Sequence, residues 1–402
     1  MQTVKSRSTS TEASTDRVLR ARERLLRVYS LMNRYVVGRE ECVRALLLAL
    51  VAGEHVVFIS PPGTAKTYMV NILSKLLNAR FYKFLLTRFT DYSELFGPVD
   101  IPSLVKGVYR RNWSGIVKAD IVFLDEVFKA NSAILNSLLS IMQERVVYDP
   151  LTGESVPVQL WTMVGASNEV PCEEELRALY DRFSVRVFFD YLSDSDVKLR
   201  GLEASLAARV SQGVKPVAGM EDVRVLHRYA MELLRMQVKR LGAPLYKVYH
   251  FNAGPLVEAL ASRGIVVSDR TYIEKLPKLY AAYLALFGVS VDNVMNAVFE
   301  ILPYLAWDRS QLRDIRKVIE DSLGEVGELA RKVEEARRLM LEGSLGKARE
   351  LLEEVLSFDV EKLANKPWLK ARAEAIIKTA WSYHTQLTRQ LQQLKETVER
   401  GG

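Results

Sequence analysis

The run Ser60-Pro61-Pro62-Gly63-Thr64-Ala65-Lys66-Thr67 is the feature that most narrows what this chain can fold into. It follows His55-Val56-Val57-Phe58-Ile59, an uncharged β-branched and aromatic stretch of the kind that forms a strand buried on both faces. Helical spacing resumes from Lys66 to Asn78. A strand, a tight turn and a helix in this order gather backbone N–H groups, a helix N-terminus and a lysine around one point, which is what a phosphate requires. In such a cradle Lys66 reaches the β and γ phosphates, and the Thr67 hydroxyl holds Mg²⁺. Ser60 and Ala65 stand where the pattern GxxxxGK[ST] carries glycine. A chance turn between strand and helix is therefore the competing reading.

A second motif raises the specificity of the first. Ile121-Val122-Phe123-Leu124-Asp125-Glu126 reads as a buried apolar strand that ends in two acids. Burying a carboxylate is costly unless it meets a cation or water, so the pair belongs at the strand's carboxyl end. There Asp125 can orient Mg²⁺ ligands and Glu126 can polarise an attacking water. Solvated acids capping a strand are common in isolation; after a phosphate loop and an intervening strand they are not. Asn168, closing the strand-like run that ends in Ala166-Ser167, is placed to fix the lytic water, or is an ordinary turn asparagine.

Phe81 to Leu86 and Leu160 to Ala166 read as further strands, Ser132 to Glu144 as a helix, and residues 145–159 as a hairpin around Pro150-Leu151-Thr152-Gly153. Alternation of strands and helices up to about residue 190 indicates an α/β domain with a mostly parallel sheet. Helical patterns then run from about Glu221 to Leu241, Gly254 to Ser262, Ser268 to Phe287 and Ser290 to Leu302, with a loop-like stretch at Gly213 to Gly219 before them. From Asp308 the composition shifts to 18 basic and 17 acidic residues, with apolar positions in alternating steps of four and three. Breaks fall at Gly343 to Gly346 and at Asn365-Lys366-Pro367, so the expected form is two long helices joined by a shorter one, folded back like a coiled coil. Residues 1–16 are polar, rich in Ser and Thr, and read as a disordered tail. The expected units are thus an α/β nucleotide-binding core at 17–200, an all-α lid at 201–307 and a C-terminal helical hairpin at 308–402.

Composition excludes several classes. With 56 basic and 49 acidic residues the net charge is +7, which supports nucleic-acid binding only weakly. Cys42 and Cys172 cannot make a disulfide framework or a cysteine-rich zinc site, and four scattered histidines do not suggest a metal centre. No uncharged apolar stretch reaches the roughly 18 residues of a membrane span, and no signal-like segment opens the chain. A cytoplasmic protein without a membrane partner is expected.

The array SPPGTAKT, FLDE, ASNE, DRF and SDR, in that order, resembles the AAA+ ATPases, specifically the MoxR branch, and is most similar to the RavA type. Tyr35-Val36-Val37-Gly38, TRFTDYSELFGPVDI at 87–101 and LDEVFKANSAILNSLLSIMQER at 124–145 carry the same likeness, which covers roughly residues 17–305. The resemblance implies ATP and Mg²⁺ as cofactors. It implies nucleotide contacts from Val36, Val37, Pro62, Gly63, Thr64, Ala65, Lys66 and Thr67, with Thr67 and Asp125 toward the metal. It further implies Glu126 as the activating acid, Asn168 as sensor 1, Arg182 as the arginine finger given to a neighbouring subunit, and Arg270 as sensor 2 on the lid. Members of the family form homohexameric rings, act as chaperone-like machines on protein clients and generally work with a von Willebrand factor A (vWA) domain partner. Beyond residue 308 the resemblance ends.

Two other functions stay open at this level. Related motors translocate on DNA, and Tyr109-Arg110-Arg111-Asn112-Trp113 is a basic-aromatic segment able to contact a strand. The blander reading, a hairpin with solvated charges and a packed Trp113, is preferred. A scaffold carried by the C-terminal helices, with the ATPase as a regulatory clamp, is the third possibility.

Overall fold

The computed structural model describes residues 2–193, 195–210, 214–238, 243–364 and 367–401. Gly213, Asn365 and Lys366, read above as loop and break positions, lie outside the described residues. The strands are β1 (Val56–Ile59), β2 (Phe81–Leu85), β3 (Ile121–Asp125), the hairpin pair β4 (Val146–Tyr148) and β5 (Ser155–Pro157), β6 (Thr162–Ser167), β7 (Val185–Phe188) and, within the region expected to be all-α, a short antiparallel pair β8 (Gln237–Val238) and β9 (Ala243–Pro244). Five of them form one parallel sheet in the order β2-β3-β6-β1-β7. Around it lie α1 (Gln2–Tyr35), α2 (Glu40–Ala52), α3 (Lys66–Leu76), α4 (Tyr92–Phe96), α5 (Ile101–Val105), α6 (Ser132–Glu144) and α7 (Glu174–Arg182).

β1 is inner and wholly buried, with Val56 opposite both Val164 and Val185. Each buried Val, Ile or Phe contributes roughly 1.5–3 kcal/mol, and no charge opposes that gain within the strand. The chain leaves β1 toward one side of the sheet, through α3 to β2, while β6 is followed by α7 and then β7 on the other side of β1. Connections that diverge in this way open a crevice at the carboxyl ends of the strands, where ligands of α/β sheets bind. The phosphate-loop motif begins there.

Downstream come α8 (Ser195–Val210), α9 (Met220–Leu233), α10 (Leu245–Ala261), α11 (Leu276–Phe287) and α12 (Val291–Ile301). The boundary expected at 200/201 falls inside α8, and the sheet shares one hydrophobic core, from Leu25 to Val318, with α9, α10, α11 and α12. α1 helps to join them. Leu25, Val28 and Met32 are fully buried along one of its faces, which packs on α9, α2 and α11, and Arg22 Nε donates to the Ala285 carbonyl at 2.9 Å. The helix is continuous back to Gln2, through the segment read as a disordered tail. Residues 2–16 hold neither Pro nor Gly, so nothing in the backbone stops it.

The C-terminal region corrects a second expectation. Instead of one long first arm there are α13 (Arg309–Leu323) and α14 (Glu325–Leu341), followed by α15 (Leu345–Leu356) and α16 (Pro367–Gly401). Gly324, at φ 53° and ψ −132°, breaks the arm. Leu312, Ile315 and Val318 of α13 belong to the main core, whereas Leu323, Val326, Val333, Ala348, Leu352, Ala373 and Ala380 form a separate one. α14, α15 and α16 pack on one another as a three-helix unit, not a two-arm hairpin. Among the described residues, no helix is long and apolar enough to cross a membrane.

Candidate active site

The loop from Ser60 to Ala65 turns between β1 and α3 with Gly63 at φ 78° and Ala65 at φ 71°. Gly63 faces open space, so its conformation rather than its bulk calls for glycine. Ala65 holds a left-handed conformation that costs a non-glycine residue of order 1 kcal/mol. Ser60 needs no such freedom. Its buried hydroxyl lies 2.7 Å from Thr64 Oγ1, which donates to the Pro61 carbonyl at 2.9 Å, so the side chain that replaces glycine staples the turn.

Lys66 opens α3 and is buried. Its ammonium donates to the carbonyls of Ser60 at 2.6 Å and Pro61 at 3.3 Å, and to Asn168 Oδ1 at 3.2 Å. The other end of that amide donates to Glu126 Oε1 at 2.8 Å. One hydrogen-bonded chain therefore joins the loop lysine on β1–α3, the asparagine after β6 and the acid after β3. Burial lowers the Lys66 ammonium from its usual range, against the opposing pull of Asp125 and Glu126. Glu126 itself sits at φ 53°, the second strained non-glycine residue here, and its backbone N–H donates to Asp125 Oδ1 at 3.2 Å. Lys129, which the motif reading passed over, reaches Glu126 Oε2 at 3.2 Å from one short turn further on. Thr67, half-buried, follows Lys66 on α3.

A cavity of about 560 Å³ opens beside the loop. Val36 and Val37 line it together with Gly63, Thr64 and Ala65. So do Arg39, Tyr68, Tyr191, Leu192 and Lys198, none of which motif spacing singles out. The lining comes from three separate parts of the chain, around residues 35–39, 63–68 and 191–201, and only the fold assembles them. Among the described residues, no group of three or more His, Cys, Asp and Glu could hold a metal by itself.

Arg182 and Arg270 stand apart from this network. Arg182 ends α7 and gives Nη2 to Gln143 Oε1 of α6 at 2.9 Å, with its buried Nε unpaired. Arg270 lies on the lid side, 3.4 Å from Glu274. No hydrogen bond or ion pair among the described residues joins either arginine to the loop, Asp125, Glu126 or Asn168.

The basic-aromatic segment also departs from expectation. Residues 109–113 form no regular strand, but Arg111 bridges Val99 antiparallel, flanked by Asp100 N–H to the Arg110 carbonyl at 2.8 Å and Asn112 N–H to the Pro98 carbonyl at 2.9 Å. Arg111 and Asp149, 4% and 2% exposed, pair at 2.8 Å, and the guanidinium also donates to the Gly97 carbonyl and lies over Tyr92 and Trp113. This charge is not solvated. It ties the insertion to the β4–β5 hairpin.

A phosphate-type loop at the carboxyl end of the inner strand β1, with Asn168 after its neighbour β6 and the acidic pair at the end of β3 beyond, defines the class of phosphate-loop nucleotide-binding proteins. Residues 23–225 match the MoxR domain of the MoxR–vWA–β-propeller ternary systems. An uncharacterized protein of Methanocaldococcus jannaschii is 34% identical over 281 residues, 69% of this chain and 69% of that one. The chain belongs to the MoxR family of AAA+ ATPases. It is also similar to chaperone MoxR1 of Mycobacterium tuberculosis, 26% identical over 178 residues, 41% of this chain and 44% of that protein. A crystal structure of a candidate ATPase from Cytophaga hutchinsonii shares the fold with a TM-score of 0.60 at 20% identity, covering 77% of this chain and 97% of that one.

Proposed function

We propose that this chain is a Mg²⁺-dependent ATP hydrolase that assembles as a homohexameric ring and remodels protein clients. The observation that carries the proposal is the Lys66–Asn168–Glu126 chain, which sets a phosphate ligand, a polar positioner and an acid around one point. The tyrosines and valines of the adjoining cavity suit an aromatic base, while the loop's backbone N–H groups and Lys66 suit the phosphates. A phosphate oxygen at the loop competes with three existing acceptors for the three protons of Lys66, so nucleotide and Asn168 share the ammonium. Glu126 accepts the proton of the attacking water, and Asn168 orients that water.

The donor set fits Mg²⁺. Thr67 and Asp125 offer hard oxygen ligands, and a magnesium ion held by one or two protein groups plus phosphates needs no protein cage. Bound there, the ion would neutralise charge that develops on the transferred phosphate. Arg182, held away from its own loop by Gln143, is available to a neighbouring subunit, and Arg270 serves the nucleotide of its own subunit from the lid. The family description pairs MoxR domains with vWA and β-propeller proteins, and we take a vWA-domain protein as the working partner. A client-remodelling role follows from the likeness to a MoxR chaperone; the likeness to the RavA type rests on the motifs alone. Burial of Arg111 in an ion pair weakens the alternative of a nucleic-acid motor, because it leaves Arg110 as the exposed cation of that segment.

Mixing tests the shared site. Arg182→Ala subunits keep Lys66, Asp125 and Glu126 but give no finger, whereas Glu126→Gln subunits still donate Arg182. Each variant alone should be inactive, because a finger is worth roughly 10³ to 10⁵ in rate, and co-expressed mixtures should regain partial turnover. Full activity of Arg182→Ala alone contradicts the assignment.

A further inference from the structure

The end of the helix that carries Arg182 is held by the lid. α7 stops at Arg182, and in its last turn the Phe183 N–H caps the Tyr180 carbonyl at 3.2 Å while the Asp181 carbonyl turns to a side chain. Lys275, 5% exposed, places its ammonium 2.6 Å from the carbonyl oxygen of Asp181 and 3.7 Å from its carboxylate. Arg186 holds the same turn from the sheet. Its guanidinium packs against the edge-to-face pair of Tyr180 and Trp307, 4.9 and 4.8 Å from their centroids, and donates to the Leu305 carbonyl at 3.1 Å and the Tyr180 carbonyl at 3.5 Å. Two cations at a helix C-terminus are favourably placed against its dipole. Only one of them, Lys275, belongs to the lid.

Lys275 is also the last residue of a π-helical turn, Thr271–Lys275, that begins immediately after Arg270. Such widened turns recur at functional positions. This single helical turn joins the arginine assigned to the subunit's own nucleotide to the lysine that caps α7. Arg182 follows Asp181 directly, so wherever Lys275 puts the Asp181 carbonyl, the base of the Arg182 side chain goes too.

We propose that Lys275 is a positioning residue that couples the lid of one subunit to the arginine that subunit lends to its neighbour. Lid movement driven by a subunit's own nucleotide then shifts α7 through the Lys275–Asp181 contact and sets whether Arg182 is presented. The inference rests on the reading of Arg182 as a finger in trans.

The test uses the full chain and steady-state hydrolysis of Mg-ATP. Lys275→Met keeps the apolar stem but removes the donor, and should lower kcat about tenfold or more with KM within about threefold. Lys275→Arg, which keeps a cation able to reach the Asp181 carbonyl, should restore most of kcat. Complementation separates donation from damage. Lys275→Met mixed with Glu126→Gln should regain turnover, because its intact site receives Arg182 from a neighbour whose Lys275 is intact. Lys275→Met mixed with Arg182→Ala should stay low, because neither presents a finger. The reverse pattern, recovery with Arg182→Ala but not with Glu126→Gln, overturns the proposal. So does unchanged kcat in Lys275→Met. Should Lys275→Met lack a cooperative melting transition, Lys275→Gln enters the same two mixtures with the same criteria. Activity of Arg182→Ala alone sinks the trans reading and this inference with it; an inactive Arg182→Ala beside a fully active Lys275→Met sinks only this inference.

Discussion

The side-chain amide of Asn168 donates to Glu126 Oε1 at 2.8 Å while its oxygen accepts from Lys66 at 3.2 Å. A single neutral side chain thus separates the loop cation from the acid and holds both. Asn168→Ala should leave nucleotide affinity within a few-fold, because Lys66 keeps its loop position through Ser60 and Pro61. Turnover should fall by about tenfold to a hundredfold, since Glu126 loses its orientation and water its second partner. Nucleotide binding by calorimetry beside phosphate release reads the two effects separately.

Arg111 and Asp149 predict a stability effect remote from the nucleotide. Burial pushes the Asp149 carboxyl up, but hydrogen bonds from Arg111, the Leu151 N–H and Tyr109 hold it below its usual range. Asp149→Ala leaves the buried guanidinium without its counter-charge and should cost about 1.5–3 kcal/mol, the range for hydrogen bonds to charged groups. Denaturant unfolding measures that loss. Limited proteolysis should show earlier cleavage within residues 97–112, which the pair fastens.

His55 predicts a pH dependence. Its Nδ1 accepts from the Met163 N–H at 3.0 Å and Nε2 faces the Met142 carbonyl at 3.4 Å, a neutral ring joining β1, β6 and α6. Burial lowers its pKa to about 3. The unfolded chain protonates this ring near the ordinary value of about 6.5 while the folded chain does not. Its contribution is therefore complete above that value and is lost as pH falls toward the folded pKa, by about 1.4 kcal/mol per unit. The destabilisation caused by His55→Gln should be about 2 kcal/mol larger at pH 7.5 than at pH 5, measured by denaturant midpoints.

Chain truncation distinguishes the two cores. A chain ending at Leu323 keeps Leu312, Ile315 and Val318 in the main core and should unfold cooperatively near the parent midpoint. A chain ending at 307 removes all three, each worth roughly 1.5–3 kcal/mol of burial, and should melt much earlier or fail to fold. Thermal scans of the two decide.

The strands and loop of the site could be read directly because their signals are local: β1, β3 and the phosphate loop are contiguous runs of one character. β7 is hard to read in the sequence because Arg186 interrupts Val185 and Val187, and its buried guanidinium is made tolerable by partners outside the strand: the rings of Tyr180 and Trp307, the Leu305 carbonyl and the Asp181 carboxylate. The stop at Gly324 was hidden by an apolar stripe that continues across it from Leu323 to Val326. Arg111 looked solvated because its partner lies on the β4–β5 connection, beyond any spacing rule. The cavity residues Tyr191 and Lys198 share no motif with the loop and meet it only through the sheet order.

The central claim is that Glu126, held by Asn168 beside Lys66, activates water for ATP hydrolysis. The most direct measurement compares Glu126→Gln with the parent chain in both Mg-ATP binding and single-turnover phosphate release. The glutamine keeps the hydrogen bond geometry at Asn168 but cannot take a proton, so binding should stay within a few-fold while release slows by about a hundredfold or more. Phosphate release by Glu126→Gln at the parental rate, with ATP bound normally, contradicts the claim.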